Sequence, residues 1–121
     1  MFKRLVVITG FLIANAACGQ SSTPTTPSPV TMNGMTVSIV SGAKDLTSTA
    51  YNPNPITVST GTTVTWMNND SITHTSTSST GTWDSGTMAP GASFSHTFAS
   101  AGTFTYHCAI HPNMVGTVTV Q

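Results

Sequence analysis

Short runs of β-forming residues, separated by turn-forming residues, extend from residue 30 to residue 121. The runs are rich in Thr, Val, Ile, Phe, Tyr and Trp, whereas Gly, Pro, Asn and Ser stand between them. β-Branched and aromatic side chains fit a pleated strand, and the intervening residues favour turns. Beyond the N-terminal segment, no stretch of helical length repeats apolar residues at positions i, i+3, i+4 and i+7. The pattern predicts an all-β domain over residues 30–121.

Seven of these runs are predicted as strands: residues 36–40, 56–58, 63–67, 73–78, 93–98, 103–108 and 116–120. Strands this short, with turns this frequent, favour two packed antiparallel sheets. Apolar residues at alternate strand positions are expected to form the core. They are Val37, Ile39, Val64, Trp66, Phe104, Tyr106, Val118 and Val120.

The chain has very few charges, because Asp, Glu, Lys and Arg make up only 5% of its 121 residues. The length allows one ordinary domain. With three lysines and arginines in total, the chain has no basic surface that could bind phosphates, so nucleic-acid binding is not expected. From Cys18 onward there are one lysine and three aspartates, which gives a net charge of −2.

The N-terminal segment, residues 1–17, has the order of a secretory signal peptide: a short basic start, a mainly apolar stretch and then small residues. It is too short to span a bilayer comfortably. Two processing routes are open. Ordinary cleavage would follow Ala14-Asn15-Ala16, whereas processing as a bacterial lipoprotein would leave Cys18 as the lipidated first residue.

Residues 18–29 favour the lipoprotein route, because they consist mostly of Ser, Thr, Pro, Gly and Gln without an apolar anchor. Such a composition is typical of a tether between a membrane and a folded domain. We therefore expect export to the bacterial periplasm or cell surface, with a lipid on Cys18 as the only contact with the membrane.

The chain contains two cysteines, Cys18 and Cys108. An exported protein with two cysteines would normally have one disulfide. However, if Cys18 is removed or lipidated, Cys108 has no partner. A metal ion is a suitable occupant for a lone thiol in an oxidising compartment.

The spacing around Cys108 supports a metal site. Cys108, His111 and Met114 follow the end of a predicted strand at the spacing C-x2-H-x2-M, where a loop can turn three side chains towards one point. Thiolate and thioether ligands are soft, and two histidines, one cysteine and a weak axial methionine form the typical electron-transfer copper site. The pattern therefore favours copper.

The second histidine of such a site is expected to be His74, which follows a predicted turn beside a strand. His107 is adjacent to Cys108 and points to the opposite face of its strand. His96 lies close to the Gly102 turn, and the offset from Cys108 is about 10 Å along the strands. That offset is too large for His96 to share one metal ion with Cys108.

Taken together, several segments resemble the small blue copper proteins of the plastocyanin/azurin (cupredoxin) family, and the short ligand loop is most similar to that of amicyanin. The segments are Pro55 to Val58, Gly61 to Asn69, His74-Thr75, Trp83 to Gly86, Pro90-Gly91, Phe94 to Phe98 and Tyr106 to Gly116. The resemblance implies a Greek-key β-sandwich of about eight strands and one type 1 copper ion. It implies strong ligation by His74, Cys108 and His111, with Met114 as the long axial ligand. Thr75 departs from the family, which has an asparagine there that braces the copper-bound sulfur, so the sequence leaves the hydrogen bonding near the sulfur open.

The predicted function is to carry single electrons between redox partner proteins that dock near His111, as an exported monomer. A copper storage or delivery protein without a redox role is the alternative. We do not expect an enzyme, because copper nitrite reductases and oxidases need further copper centres and this sequence has ligands for one. A metal-free adhesion sandwich would stay colourless with copper, whereas a thiolate–copper site would turn blue.

Overall fold

The structure, a computed structural model, describes residues 34–121. The predicted signal peptide and tether, residues 1–29, lie outside the described residues. Within the described range the chain forms eight strands and one turn of 3-10 helix, and it has no helix of the length and apolar character needed to cross a bilayer. In chain order the elements are β1 (Gly34–Ile39), the 3-10 turn (Ala43–Asp45), β2 (Tyr51–Asn52), β3 (Ile56–Val58), β4 (Thr63–Asn68), β5 (Thr77–Ser78), β6 (Ser93–Thr97), β7 (Gly102–His107) and β8 (Val115–Val120).

The strands form two four-stranded sheets, in the orders β2-β1-β4-β6 and β3-β8-β7-β5. The predicted all-β sandwich is confirmed, but the prediction of purely antiparallel sheets is wrong. β1 runs parallel to β4, and β3 runs parallel to β8. The alternation of apolar residues reports which face of a strand is buried, but it carries no information about the direction of the neighbouring strand.

The core lies between the two sheets and contains the alternating apolar positions. Seven of the eight predicted core residues are buried, and the exception, Phe104, is only partly buried. Phe104 packs on Phe98, with 5.3 Å between ring centroids, beside an open cleft that both residues line together with His96. One side of the Phe104 ring therefore faces the cleft.

Stacked aromatic rings connect the two sheets. Trp66 on β4 stacks on Trp83 at a centroid distance of 5.4 Å, and it meets Tyr106 of β7 edge to face, also at 5.4 Å. Such pairs contribute about 0.5–1.5 kcal/mol each beyond the burial of their area. Trp83 also stacks on His96 at 5.3 Å, and burial lowers the pKa of the His96 imidazole. Both tryptophans are core residues.

The loop after β4 is longer than the sequence predicts. The expected strand over residues 73–78 is reduced to β5, and upstream of it His74 makes a single β-bridge with Met88. The buried side chain of Asn68 is the physical reason, because its amide group donates to the carbonyl oxygens of Ile72 (2.8 Å) and Met88 (2.9 Å). The Asn68 side chain thus stabilises a loop in place of the expected strand, and this loop positions His74.

Gly116 allows a close contact inside the second sheet. It lies opposite Tyr106 in the β7–β8 pair, and a Cβ atom at residue 116 would overlap the Tyr106 ring. We expect Gly116→Ala to lower the free energy of unfolding by about 1–3 kcal/mol, the usual cost of overpacking a core. The measurement is urea unfolding, with a lower midpoint at an unchanged slope.

Thr119→Ala is the matched control, because Thr119 lies on the same strand and is only partly buried. We expect it to change the free energy of unfolding by no more than about 0.5 kcal/mol. Equal stability of Gly116→Ala and the parent protein would contradict the packing described for Tyr106.

Candidate metal centre

Three side chains from two distant parts of the chain meet at one end of the sandwich. The potential ligand atoms of His74, Cys108 and His111 all lie within 4.8 Å of one another. Nδ1 of His74 and Nδ1 of His111 are each 3.9 Å from Sγ of Cys108. Two atoms bound to one ion at about 2.0 and 2.3 Å, typical metal–imidazole and metal–thiolate lengths, lie about 3.7 Å apart when separated by 120°. The observed spacing therefore suits one metal ion between three ligands.

Met114 belongs to the same loop and is fully buried. Its backbone N–H donates to the carbonyl oxygen of His111 (3.0 Å), and its own carbonyl oxygen accepts the N–H of Cys108 (3.1 Å). These two hydrogen bonds close the loop from Cys108 to Met114 into a compact turn. Backbone hydrogen bonds thus keep Cys108, His111 and Met114 together in one compact loop.

Thr75 connects the loop that carries His74 to the loop that carries Cys108. Its backbone N–H lies 3.3 Å from Sγ of Cys108, and its hydroxyl oxygen accepts the N–H of Ala109 at 2.8 Å. Its carbonyl oxygen accepts the hydroxyl of buried Tyr51 at 2.7 Å. The sequence left the hydrogen bonding at this position open, and in the structure the threonine hydroxyl braces the residue that follows the cysteine.

Asp70 contacts the far side of the His74 ring. Its Oδ2 lies 2.7 Å from Nε2 of His74, and both side chains are buried. The hydrogen bond with His74 lowers the pKa of the Asp70 carboxyl group to about 2, with further lowering by the backbone N–H groups of Gly42 and Ser71 and an opposing effect of burial. Sequence reasoning did not identify Asp70 as part of the site. The spacing of four residues between Asp70 and His74, inside one loop, was the available signal.

The other two histidines lie away from this group. His107 is partly buried, and its Nδ1 lies 3.5 Å from the hydroxyl of Ser79. His96 lies against Trp83 and Phe98. Neither belongs to the cluster of potential metal ligands within the described range, as the arguments from strand parity and offset predicted.

The ligand loop from Cys108 to Met114 has no charged side chain. His111 is partly buried, and Ile110 and Val115, which are close to it in sequence, are 46% and 42% exposed. The side chain of Asn113 donates to the carbonyl oxygens of residues 44 and 46, which ties the ligand loop to the 3-10 turn. Met88 is only 2% exposed and forms an isolated β-bridge with His74, so its side chain does not contribute to the surface.

Comparison with known proteins supports this interpretation of the geometry. Residues 36–121 match the model of the copper binding proteins of the plastocyanin/azurin family. Plastocyanin from Scenedesmus fuscus is 36% identical over 84 residues, which is 59% of this chain and 86% of that protein. The chain is also similar to amicyanin. The reduced Cu(I) form of an amicyanin variant is 30% identical to it, with a TM-score of 0.60, and the similarity covers 73% of this chain and 82% of the other.

A purple cupredoxin from Nitrosopumilus maritimus has a TM-score of 0.66 and 35% identity, and the similarity covers 72% of this chain and 99% of that one. A copper-containing nitrite reductase from Thermus scotoductus has a TM-score of 0.60, and the similarity covers 73% of this chain but only 22% of that protein. Because the two are 23% identical, this similarity shows the fold alone.

The residues that meet at the end of the sandwich suit copper, since one thiolate and two imidazoles are its preferred ligands. The chain therefore belongs to the plastocyanin/azurin family of copper-binding proteins.

Proposed function

We propose that this protein carries single electrons on one type 1 copper ion, which His74, Cys108 and His111 would hold together with Met114. The observation that supports this most directly is the convergence of two imidazole Nδ1 atoms on one buried thiol, each at 3.9 Å. Met114, fully buried in the same loop, is the candidate for the weak fourth ligand of such sites. The family as a whole acts in electron transfer, and the donor set of this chain is suited to that chemistry.

Rigid ligand loops are what one-electron transfer requires, because the oxidised and reduced states then share nearly one geometry. When bound, copper supplies the Cu(II)/Cu(I) couple. The chain contributes the geometry: the compact turn from Cys108 to Met114 and the two hydrogen bonds of Thr75 restrict the positions of the ligands. Storage or delivery of copper is less favoured, because His74, Cys108 and Met114 are buried and an outgoing ion would have to break these contacts.

His111 is the one proposed ligand that is not buried, so it would connect a bound copper ion with a partner at the surface. Redox partner proteins dock on the surrounding surface, which presents the apolar side chains of Ile110 and Val115 and no charged residue from the ligand loop. Docking of this kind depends on apolar contact more than on electrostatic steering. The protein acts as a monomer that provides a single copper centre and catalyses no reaction of its own.

Removal of the thiol tests the copper site. The copper-loaded protein is expected to show the intense visible absorption of a thiolate–copper bond, and Cys108→Ser is expected to lose it, because a hydroxyl group is a hard, weak ligand for copper. Absorption spectra during copper titration provide the measurement. His74→Ala and His111→Ala are expected to weaken or shift the band.

His96→Ala and His107→Ala are the matched controls, since both histidines lie outside the cluster. They are expected to leave the absorption unchanged. A colourless wild-type protein after addition of copper, or a His107→Ala variant as impaired as His111→Ala, would contradict the ligand set.

A charge placed beside His111 tests the docking surface. Electron self-exchange between copper-loaded molecules is expected to be nearly independent of salt in the wild type. Ile110→Glu is expected to slow it at low salt, with partial recovery as salt is added, because two like charges then meet at the contact. NMR line broadening in mixtures of the oxidised and reduced protein measures the rate.

Met67→Glu is the control, because Met67 is a similarly exposed apolar residue, 39% accessible, on β4. It is expected to leave self-exchange close to the wild-type rate. A steep fall of the wild-type rate with added salt would show that charge, and not apolar contact, governs docking.

The protein is exported, and a lipid on Cys18 anchors it to a bacterial membrane through the Ser/Thr/Pro-rich tether. The residue order of the N-terminal segment supports this proposal. Mass spectrometry of the mature N-terminus is expected to find a chain that begins at a lipidated Cys18. A free N-terminus at Ala17 would instead establish ordinary cleavage and a soluble periplasmic protein.

A further inference from the structure

Within residues 34–121 there are four charged side chains, Lys44, Asp45, Asp70 and Asp84, and only Asp70 is buried. A buried carboxylate is costly unless hydrogen bonds replace the water it loses. Asp70 is 6% exposed, and nothing in the proposed copper ligation uses it directly. The groups that form hydrogen bonds with Asp70 therefore indicate its role.

Both oxygens of the Asp70 carboxylate have partners. Oδ1 accepts the backbone N–H groups of Gly42 (3.0 Å) and Ser71 (2.7 Å), and Oδ2 lies 2.7 Å from Nε2 of His74. The backbone N–H of Asp70 in turn donates to the side chain of buried Asn68 at 3.0 Å. The carboxylate is thus held from two sides, so its orientation towards His74 is set by the surrounding backbone.

The contact with Asp70 determines which nitrogen of His74 carries a proton. An ionised carboxylate only accepts hydrogen bonds, so Nε2 of His74 must be the donor. In a neutral imidazole the other nitrogen then has a free lone pair. That nitrogen is Nδ1, which faces Sγ of Cys108 at 3.9 Å. The hydrogen bond therefore selects the tautomer that can bind a metal ion and fixes the ring in the required orientation.

We propose that Asp70 is a positioning residue for the copper centre, which holds His74 in its metal-binding tautomer and lowers the reduction potential by stabilising the oxidised ion. This proposal rests on the ligand set proposed above. A carboxylate that accepts the imidazole N–H makes the ring a stronger donor. Its negative charge, in a buried position, also favours the doubly charged ion over the singly charged one.

Asp70→Asn tests the proposal in the copper-loaded protein. If the amide oxygen keeps the two backbone hydrogen bonds, the NH2 group faces Nε2, and a proton then shifts to Nδ1, where it competes with copper. Loss of such a partner typically lowers metal affinity by about 10–100-fold. We expect the Cu(II) affinity to fall further than the Cu(I) affinity, and each tenfold change in their ratio raises the reduction potential by about 59 mV.

Asp45→Asn is the matched control, because it removes the same charge from an exposed side chain. It is expected to leave the potential within measurement error of the wild type. The proposal is overturned if the wild type binds copper with the expected colour and Asp70→Asn has the potential of Asp45→Asn. A wild type that binds no copper would instead overturn the ligand set itself.

If Asp70→Asn does not fold, a measurement on the wild-type protein tests the hydrogen bond between His74 and Asp70 directly. In long-range 1H–15N spectra of the Cu(I) form, Nε2 of His74 is expected to carry a slowly exchanging proton, and Nδ1 is expected to carry none. Slow exchange follows from the burial of both partners. A rapidly exchanging or absent Nε2 proton would show that Asp70 does not accept this hydrogen bond, and the proposal would fall.

Discussion

The backbone N–H of Thr75 lies 3.3 Å from Sγ of Cys108, and the hydroxyl oxygen of the same residue accepts the N–H of Ala109. These two hydrogen bonds join the loop after β4, in the first sheet, to the loop after β7, in the second. The sandwich brings the two loops to one end, and contacts of this kind, together with the pairing of β5 with β7, hold their side chains at one point. A site divided between two loops depends on such a connection, because movement of either loop would separate His74 from Cys108. The geometry that suits one copper ion is therefore a consequence of how the two sheets are connected.

Polar groups inside an almost uncharged domain are concentrated near this connection. Asn68 holds the loop with its amide group, and Asp70 accepts hydrogen bonds from two backbone N–H groups and faces His74. Each of these buried groups has a partner, so the cost of removing it from water is largely offset. Such a network rigidifies the region, because every member restricts the orientation of the next. Rigidity at this end of the sandwich is what a one-electron site needs.

Burial divides the proposed ligands into two groups with different consequences. His74, Cys108 and Met114 are inside the protein, where water and foreign ligands are excluded, whereas His111 lies in the exposed loop. The nearby surface is formed by apolar side chains such as Ile110 and Val115. An electron carrier has to protect its metal ion and still bring one ligand close to a partner. The arrangement in this chain satisfies both requirements.

The sequence by itself determined the features that depend on neighbours along the chain. Alternation of apolar residues predicted the strands and nearly all of the core, and the spacing of Cys108, His111 and Met114 brought these three residues into one candidate site. His74 was a weaker prediction from the residues alone, because it depends on contacts between parts of the chain that are distant in sequence. The tertiary structure alone decided the parallel pairing of β1 with β4 and the loop character of the segment around His74. It also decided the bracing role of Thr75 and the contact of Asp70 with His74. The physical reason is that periodicity records local burial, whereas strand direction and hydrogen bonds between loops arise only when remote segments pack together.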